Sequence, residues 1–234
     1  MQMAWAPDGY YFSKLKRTDL REMLEFYVTE IYEHYHYTDY TQESYQDEIE
    51  YLLKEDHLYF DNSVYYVIRD YAEHKIWGSI KTTYWDKKIP LPIEELFNVH
   101  PSDFMLPGIE NFWHLGRFGI SSKIPSDRIG ILKKMLFSAF YPIHEMHPGL
   151  IIAECDKKVT LTLEKMHIPS FSLGKSIEYI CSETIPIYIK SEWLDIFITS
   201  NADRYFSDES LNDIAFFRKK QPLLNEIGVA LFEQ

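Results

Sequence analysis

His114, Arg117 and the two glycines flanking that arginine stand in one apolar-rich run, Phe112-Trp113-His114-Leu115-Gly116-Arg117-Phe118-Gly119-Ile120, within a chain of 234 residues. A histidine titrates near neutral pH, so His114 could take a proton from an amine directly or through a water. Glycines inside a strand mark a bulge or a close backbone approach, and amide N–H groups released at a bulge can polarise a carbonyl. An arginine amid apolar neighbours is costly if unpaired. Arg117 is therefore expected to meet a carboxylate such as Asp61, or a bound substrate. Lys81 could pair with the same Asp61, hold an acceptor carboxylate, or stand exposed on an edge strand. Plainer readings stand beside these: glycines that only relieve crowding, a structural histidine, an ion pair that serves the core.

Other residue types offer less. Ser126-Asp127-Arg128-Ile129-Gly130-Ile131 opens a helix whose N–H groups could meet a phosphate, as any helix start could. Lys123, Arg128, Lys133 and Lys134 make either a small basic patch for an acidic partner or a solvated helix face. Cys155, in Glu154-Cys155-Asp156, reads as pocket lining or packing, because no histidine can be assigned to activate it. His34 and His36 have metal-like spacing without further ligands nearby, and no metal site is read there. The aromatic stretch 32–40 suits either a flap over a pocket or an ordinary loop.

These residues need elements to hold them. Residues 10–15 suit a short edge strand. Thr18 is expected to cap a helix over about 18–36, with Leu20, Met23, Leu24, Tyr27, Val28 and Ile31 along one face. Ser44 is expected to cap a second helix through about residue 54. The β-rich runs 64–71 and 76–84, separated by Ala72-Glu73-His74-Lys75, predict a hairpin. A short helix over 91–97 has proline in its first turn. The third strand, 111–121, carries the chemistry, and alternation puts His114, Gly116 and Phe118 on one face and Trp113, Leu115 and Arg117 on the other. Ser126 then caps a helix with Ile129, Leu132, Leu136, Phe140 and Ile143 in line. Residues 150–155 read as a central strand. A helix over 158–166 ended by Pro169, one or two strands over 177–189, a helix from 193, a polar break at 201–208 and a last helix near 209–219 follow. This order describes a mixed α/β sheet flanked by helices in one domain.

Composition bounds the partners. The formal charge of -12 argues against nucleic acid, since phosphate binding needs a concentrated basic surface. No apolar run approaches the roughly 20 residues of a bilayer span. The stretch from Met1 to Pro7 lacks the basic and apolar regions of a signal peptide. Two cysteines, Cys155 and Cys181, give neither a disulfide framework nor a four-cysteine zinc site, which suits a reducing, cytoplasmic setting.

The run Phe112 to Ile120 resembles the Trp-Glu-Leu-Ser-Arg-Phe-Ala-Val stretch of the acyl-homoserine-lactone (autoinducer) synthases and related N-acyl amino acid synthases, divergent members of the GNAT fold. Tyr59-Phe60-Asp61-Asn62 before Tyr66-Val67-Ile68 resembles their Tyr-Asp-Asn followed by a strand. Gly78-Ser79-Ile80-Lys81 resembles their Gly-Cys-Leu-Arg, and Leu163-Glu164-Lys165-Met166-His167-Ile168-Pro169 the segment linking a helix to the last strands. The matches keep the family order over roughly 55–190.

The resemblance implies a GNAT-like acyltransferase domain over 1–190, with 191–234 as a helical extension. It implies transfer of a fatty acyl group from acyl carrier protein or CoA to a small amine such as an amino acid, with no permanently bound cofactor. His114 and Arg117 would be catalytic. Asp61, Lys81, Phe118 and Cys155 would contact substrate, and Gly119, Arg128 and Gly130 would hold the donor's phosphopantetheine. Residues 126–131 keep only a fragment of the usual Arg/Gln-x-x-Gly-x-Gly/Ala pyrophosphate loop, which resembles synthases fed by carrier protein. Departures are plain as well. His114 stands where the family has an acidic residue, Lys81 where it has arginine, and 18–50 lack its N-terminal arginine and tryptophan pattern. These leave a second expectation, a GNAT-like binding protein that holds a lipid or small molecule without turnover.

Overall fold

The computed structural model describes residues 6–104, 109, 111–124 and 127–221. β-Branched and aromatic side chains crowd the hairpin of β2 (Ser63–Asp70) and β3 (Ile76–Tyr84), and β1 (Tyr10–Lys14) adds an outer antiparallel strand. The hairpin turn is fastened by the Asp70 carboxylate, which accepts the Glu73 amide and the Trp77 indole N–H. β4 (Asn111–Ile120) pairs antiparallel with β3, and β5 (Gly149–Asp156) lies parallel beside β4. β8 (Ser182–Lys190) pairs antiparallel with β5 and carries the short β6 (Phe171–Ser172) and β7 (Ile177–Tyr179). The eight-stranded sheet thus has the order β1-β2-β3-β4-β5-β8-β6, with β7 off this path. Sequence patterning marked the long strands to within a residue or so; the two-residue β6 has no periodicity to read.

Helices cover both faces. α1 (Leu20–His34) buries Leu20, Met23, Leu24 and Val28 at helical spacing against α2 (Gln42–Tyr59) and the sheet residues Tyr65 and Val67. Thr41, not Ser44, caps α2: its hydroxyl accepts the Ser44 amide, and the Ser44 hydroxyl receives the Thr41 amide. α2 also runs past the expected end near residue 54, because Ile49, Leu52, Asp56 and Tyr59 share its buried face. The short α3 (Pro92–Phe97) packs Ile93 against Phe112 and Ile152. A parallel pair needs a crossover, and α4 (Arg128–Glu145) supplies it between β4 and β5. The Asp127 carboxylate caps α4 by accepting the Gly130 amide at 2.8 Å; Ser126, the expected cap, lies outside the described residues.

α5 (Lys157–Lys165) follows β5 and is capped by Asp156. α6 (Asp195–Tyr205) continues through 201–205 of the expected break at 201–208, since Tyr205 is buried, and the chain turns only at Phe206 and Ser207 before α7 (Asp208–Arg218). Phe197, Tyr205 and Phe217 of these two helices share one core with Trp113, Phe137 and Phe140. Among the described residues no helix is long and apolar enough to cross a membrane.

Candidate active site

β4 and β5 are paired only over their first halves. Asn111 to Leu115 match Gly149 to Ala153, and beyond that point the strands run on to Ile120 and Asp156 without pairing with each other. Two adjoining cavities of about 140 and 220 Å³ occupy this fork and share Tyr27, Ile31, Tyr35, Phe118, Asp156 and Val159. In the first, Leu115, Leu136, Phe140, Ala153, Leu163 and Ile187 form an apolar side that belongs to the α4-side core. Its polar side holds Glu55, His114, Arg117, Glu154 and Tyr179.

The expected bulge lies at the fork. Ser79 pairs with Gly119 and Lys81 with Gly116, so Arg117 and Phe118 together oppose Ile80. Arg117 has φ of 51°, an uncommon conformation for a residue with a Cβ, and the Ser79 hydroxyl clasps its carbonyl at 2.7 Å. The bulge breaks the alternation read from sequence. Arg117 does not oppose His114: its guanidinium turns toward α2, where Lys81 also points.

There it joins a buried network. Asp56, fully buried, accepts Lys81 Nζ at 2.7 Å on one oxygen and Arg117 Nε at 2.9 Å on the other. Glu55 accepts a second Arg117 nitrogen at 2.7 Å and lies 3.6 Å from Lys81. Burial alone would raise the Asp56 carboxyl, but the charges and hydrogen bonds of Arg117 and Lys81 hold it at about 2. The partner expected from sequence, Asp61, is elsewhere: its side chain is 83% exposed and pairs with Arg17 at 2.6 Å. Lys81 is likewise neither on an edge nor exposed, being 0% accessible on a central strand.

His114 is 3% exposed, and its Nε2 lies 2.8 Å from the Glu154 carboxylate. His114 pairs in register with Ile152, so Glu154 two residues on emerges on the same face. Burial pushes the Glu154 carboxyl up, but His114, through its charge and hydrogen bond, and lesser favourable contacts bring the balance below the ordinary value. The other Glu154 oxygen, Oε1, is buried and meets no hydrogen-bond donor among the described residues. Gly116 makes room for the imidazole, since a Cβ there would sit 3.2 Å from His114 Cε1. Sequence reading noted Glu154 only as a neighbour of Cys155. A carboxylate from the adjacent strand thus stands beside position 114.

The second cavity is lined by Gly119, Arg128, His34 and Lys158 as well as the shared residues. Gly130 is not at its wall, and the Gly130 amide is taken by Asp127, which also puts a carboxylate where a phosphate was expected. The basic patch is smaller than its sequence suggests. Lys134 is buried, its ammonium donates to the Tyr205 carbonyl at 2.8 Å and burial draws its pKa down to about 8, while Lys123 pairs with Glu33. Phe118 lines both cavities, and Cys155 lines the first, where burial foremost pushes its thiol pKa up. In the aromatic stretch, Tyr32, Tyr37 and Tyr40 pack on one another, whereas Tyr35 turns to the cleft and donates to Asp156. His34 lies 2.9 Å from Lys158 Nζ.

Compared as a sequence, the chain matches no family model and no curated protein. Compared as a fold, it is similar to several solved structures. FeeM, an N-acyl amino acid synthase from uncultured soil microbes, superposes with a TM-score of 0.54 at 12% identity, over 82% of this chain and 97% of that one. The AHL synthase LasI gives 0.53 at 14% identity, over 81% and 94%. TofI, in a ternary complex with an inhibitor and MTA, gives 0.50 at 14% identity, over 80% and 95%. At such identities the likeness is one of fold, and it is the GNAT-like α/β fold of the branch that the motifs resemble.

Proposed function

We propose that the chain is an N-acyltransferase that moves a fatty acyl group from a thioester to a small amine. One observation carries the reading: the His114–Glu154 pair stands at the fork of β4 and β5, with an apolar cavity of acyl-chain character directly beside it. The acyl chain would lie among Leu115, Leu136, Phe140 and Leu163, and the thioester carbonyl would meet backbone N–H groups at the Arg117 bulge. Glu154 orients the imidazole, and His114 accepts a proton from the attacking amine. The nitrogen bonds to the carbonyl carbon, the C–S bond breaks, and the thiolate leaves as thiol with the proton held by His114. Arg117 and Lys81 act through position, fixing α2 against the bulge. Asp61, exposed and paired with Arg17, has no part in the step.

The donor is proposed to be carried by acyl carrier protein. A carboxylate caps α4 where a CoA pyrophosphate would need donors, while Arg128 and Lys158 at the second cavity suit the single phosphate of a phosphopantetheine arm. The setting is proposed to be cytoplasmic, and 191–221 to be an integral layer of the same acyltransferase unit rather than a separate domain. Incubation with acyl carrier protein and CoA thioesters and an amine panel, with thiol release and products followed by mass spectrometry, tests the reading. Acylated amine is the expected product. A tightly retained ligand with no thiol release from any donor refutes it and identifies a binding protein.

A further inference from the structure

We infer, building on the acyl-transfer reading, that the acceptor is a primary amine carrying no carboxylate, which enters the cleft as its ammonium. An amino acid acceptor would need a cation for its carboxylate. Among the described residues the cations at the polar end of the fork are Lys81 and Arg117, and both are matched already by Asp56 and Glu55, at 2.7 to 2.9 Å. Those four charges sum to zero. A further carboxylate would be brought into a partly buried site without a counter-ion, beside Glu154 and Asp156.

An ammonium meets the opposite conditions. Glu154 Oε1 is a buried carboxylate oxygen without a hydrogen-bond donor among the described residues, and an ammonium N–H would complete it. Burial disfavours the Glu154 charge, yet His114 and its other contacts keep the carboxyl below its ordinary value, so it is available as an anion at neutral pH. Tyr27, Tyr35, Phe118 and Tyr179 line the same cavity, and aromatic faces favour a cation. Two further cations near the fork, Arg128 and Lys158, line the adjoining cavity, where the donor phosphate is placed.

The chemistry balances. The ammonium has two protons to lose on becoming an amide nitrogen. One passes through His114 to the departing thiolate and the other is released to solvent. The products are amide, free thiol and one proton.

Matched pairs that differ only by the carboxylate decide the matter: phenethylamine against phenylalanine, tyramine against tyrosine, and 1,4-diaminobutane against ornithine. Each is titrated calorimetrically into the whole protein and assayed with acyl carrier protein and CoA thioesters. The amine of each pair should bind and react at least about tenfold better, equivalent to roughly 1.4 kcal/mol. Glu55→Gln should keep an acceptor for Arg117 but leave one positive charge unmatched, and so draw the paired ratios toward parity, chiefly through KM. Amino acids that bind and react as well as their amines overturn the inference and leave acyl transfer standing. Preferential amine binding with no turnover leaves the selectivity standing and removes the acyl-transfer reading. No binding of any amine at millimolar concentration, with no turnover, overturns the inference.

Discussion

Replacing Asp56 by alanine should be among the most damaging single changes in the chain. The carboxylate is fully buried between Lys81, itself without exposed surface, and Arg117. Its loss leaves two cations facing Glu55 alone, and removing one partner of a buried pair costs about 3–5 kcal/mol. That is a large part of the ~5–15 kcal/mol by which domains are stable. The acid limb gives an independent figure. Burial opposes the charge, but Arg117 and Lys81 bring the Asp56 carboxyl to about 2 from 3.8. A difference of that size corresponds to about 2 kcal/mol.

Because the folded-state value is the lower one, this contribution is whole above about pH 4 and drains away as pH falls toward 2. Urea unfolding of the parent, Asp56→Ala and Asp56→Asn at pH 7, and again stepwise to pH 2, measures both figures. The gap between parent and Asp56→Asn should shrink by about 2 kcal/mol over that window. Asp56→Ala/Lys81→Met, which removes one unmatched cation, should regain part of the loss. An Asp56→Ala cost below about 1 kcal/mol, the range of exposed pairs, refutes the reasoning, as does a gap that ignores pH.

Three further outcomes are expected. His114→Ala should lower turnover about 10²- to 10⁴-fold in a protein that still folds, with some loss of stability because buried Glu154 loses its partner, and His114→Glu should retain part of the activity; parent-like rates in both variants would remove the histidine from the mechanism. Gly116→Ala places a Cβ 3.2 Å from His114 Cε1 and must tilt the ring, so kcat should fall about tenfold while urea unfolding shifts little. Cys155→Ala should keep turnover and alter acyl-chain preference at most, because burial and then Glu154 and Asp156 suppress the thiolate; loss of all activity in that variant would point to a covalent step.

The sequence made the ladder legible and left its cross-links hidden. β-Branched and aromatic runs gave the hairpin, and Gly116 with Gly119 gave the bulge, because those signals are local. The pairing of Arg117 was not local. The expected carboxylate, Asp61, is not the partner; Glu55 and Asp56 are, on a last turn of α2 whose polar residues hide its helical period. The bulge that the glycines announced also cancelled the strict alternation on which the facing of Arg117 had been argued. Glu154 was invisible as a site residue for a different reason. Its relation to His114 depends on the parallel register of β4 and β5, and nothing within either strand encodes that register by itself. The N-cap of α4 fell one residue from its expected place, which sets a carboxylate rather than a hydroxyl at the helix start.

The parallel pairing of β4 with β5 also sets a schedule for synthesis. β2, β3 and β4 are each antiparallel to a strand already made, so they can join as they emerge. The far edge of β4, with Phe112, Trp113 and Leu115, then waits until α4 and residue 149 have left the ribosome. At ordinary elongation rates that delay is on the order of seconds. An apolar strand edge left bare for so long is a template for wrong pairing, and this is where a chaperone would find the nascent chain. A chain halted within α4 would hold Glu55, Asp56, Lys81 and Arg117 in full, and no Glu154: a finished ion-pair network at the rim of a cleft whose second wall has not been made.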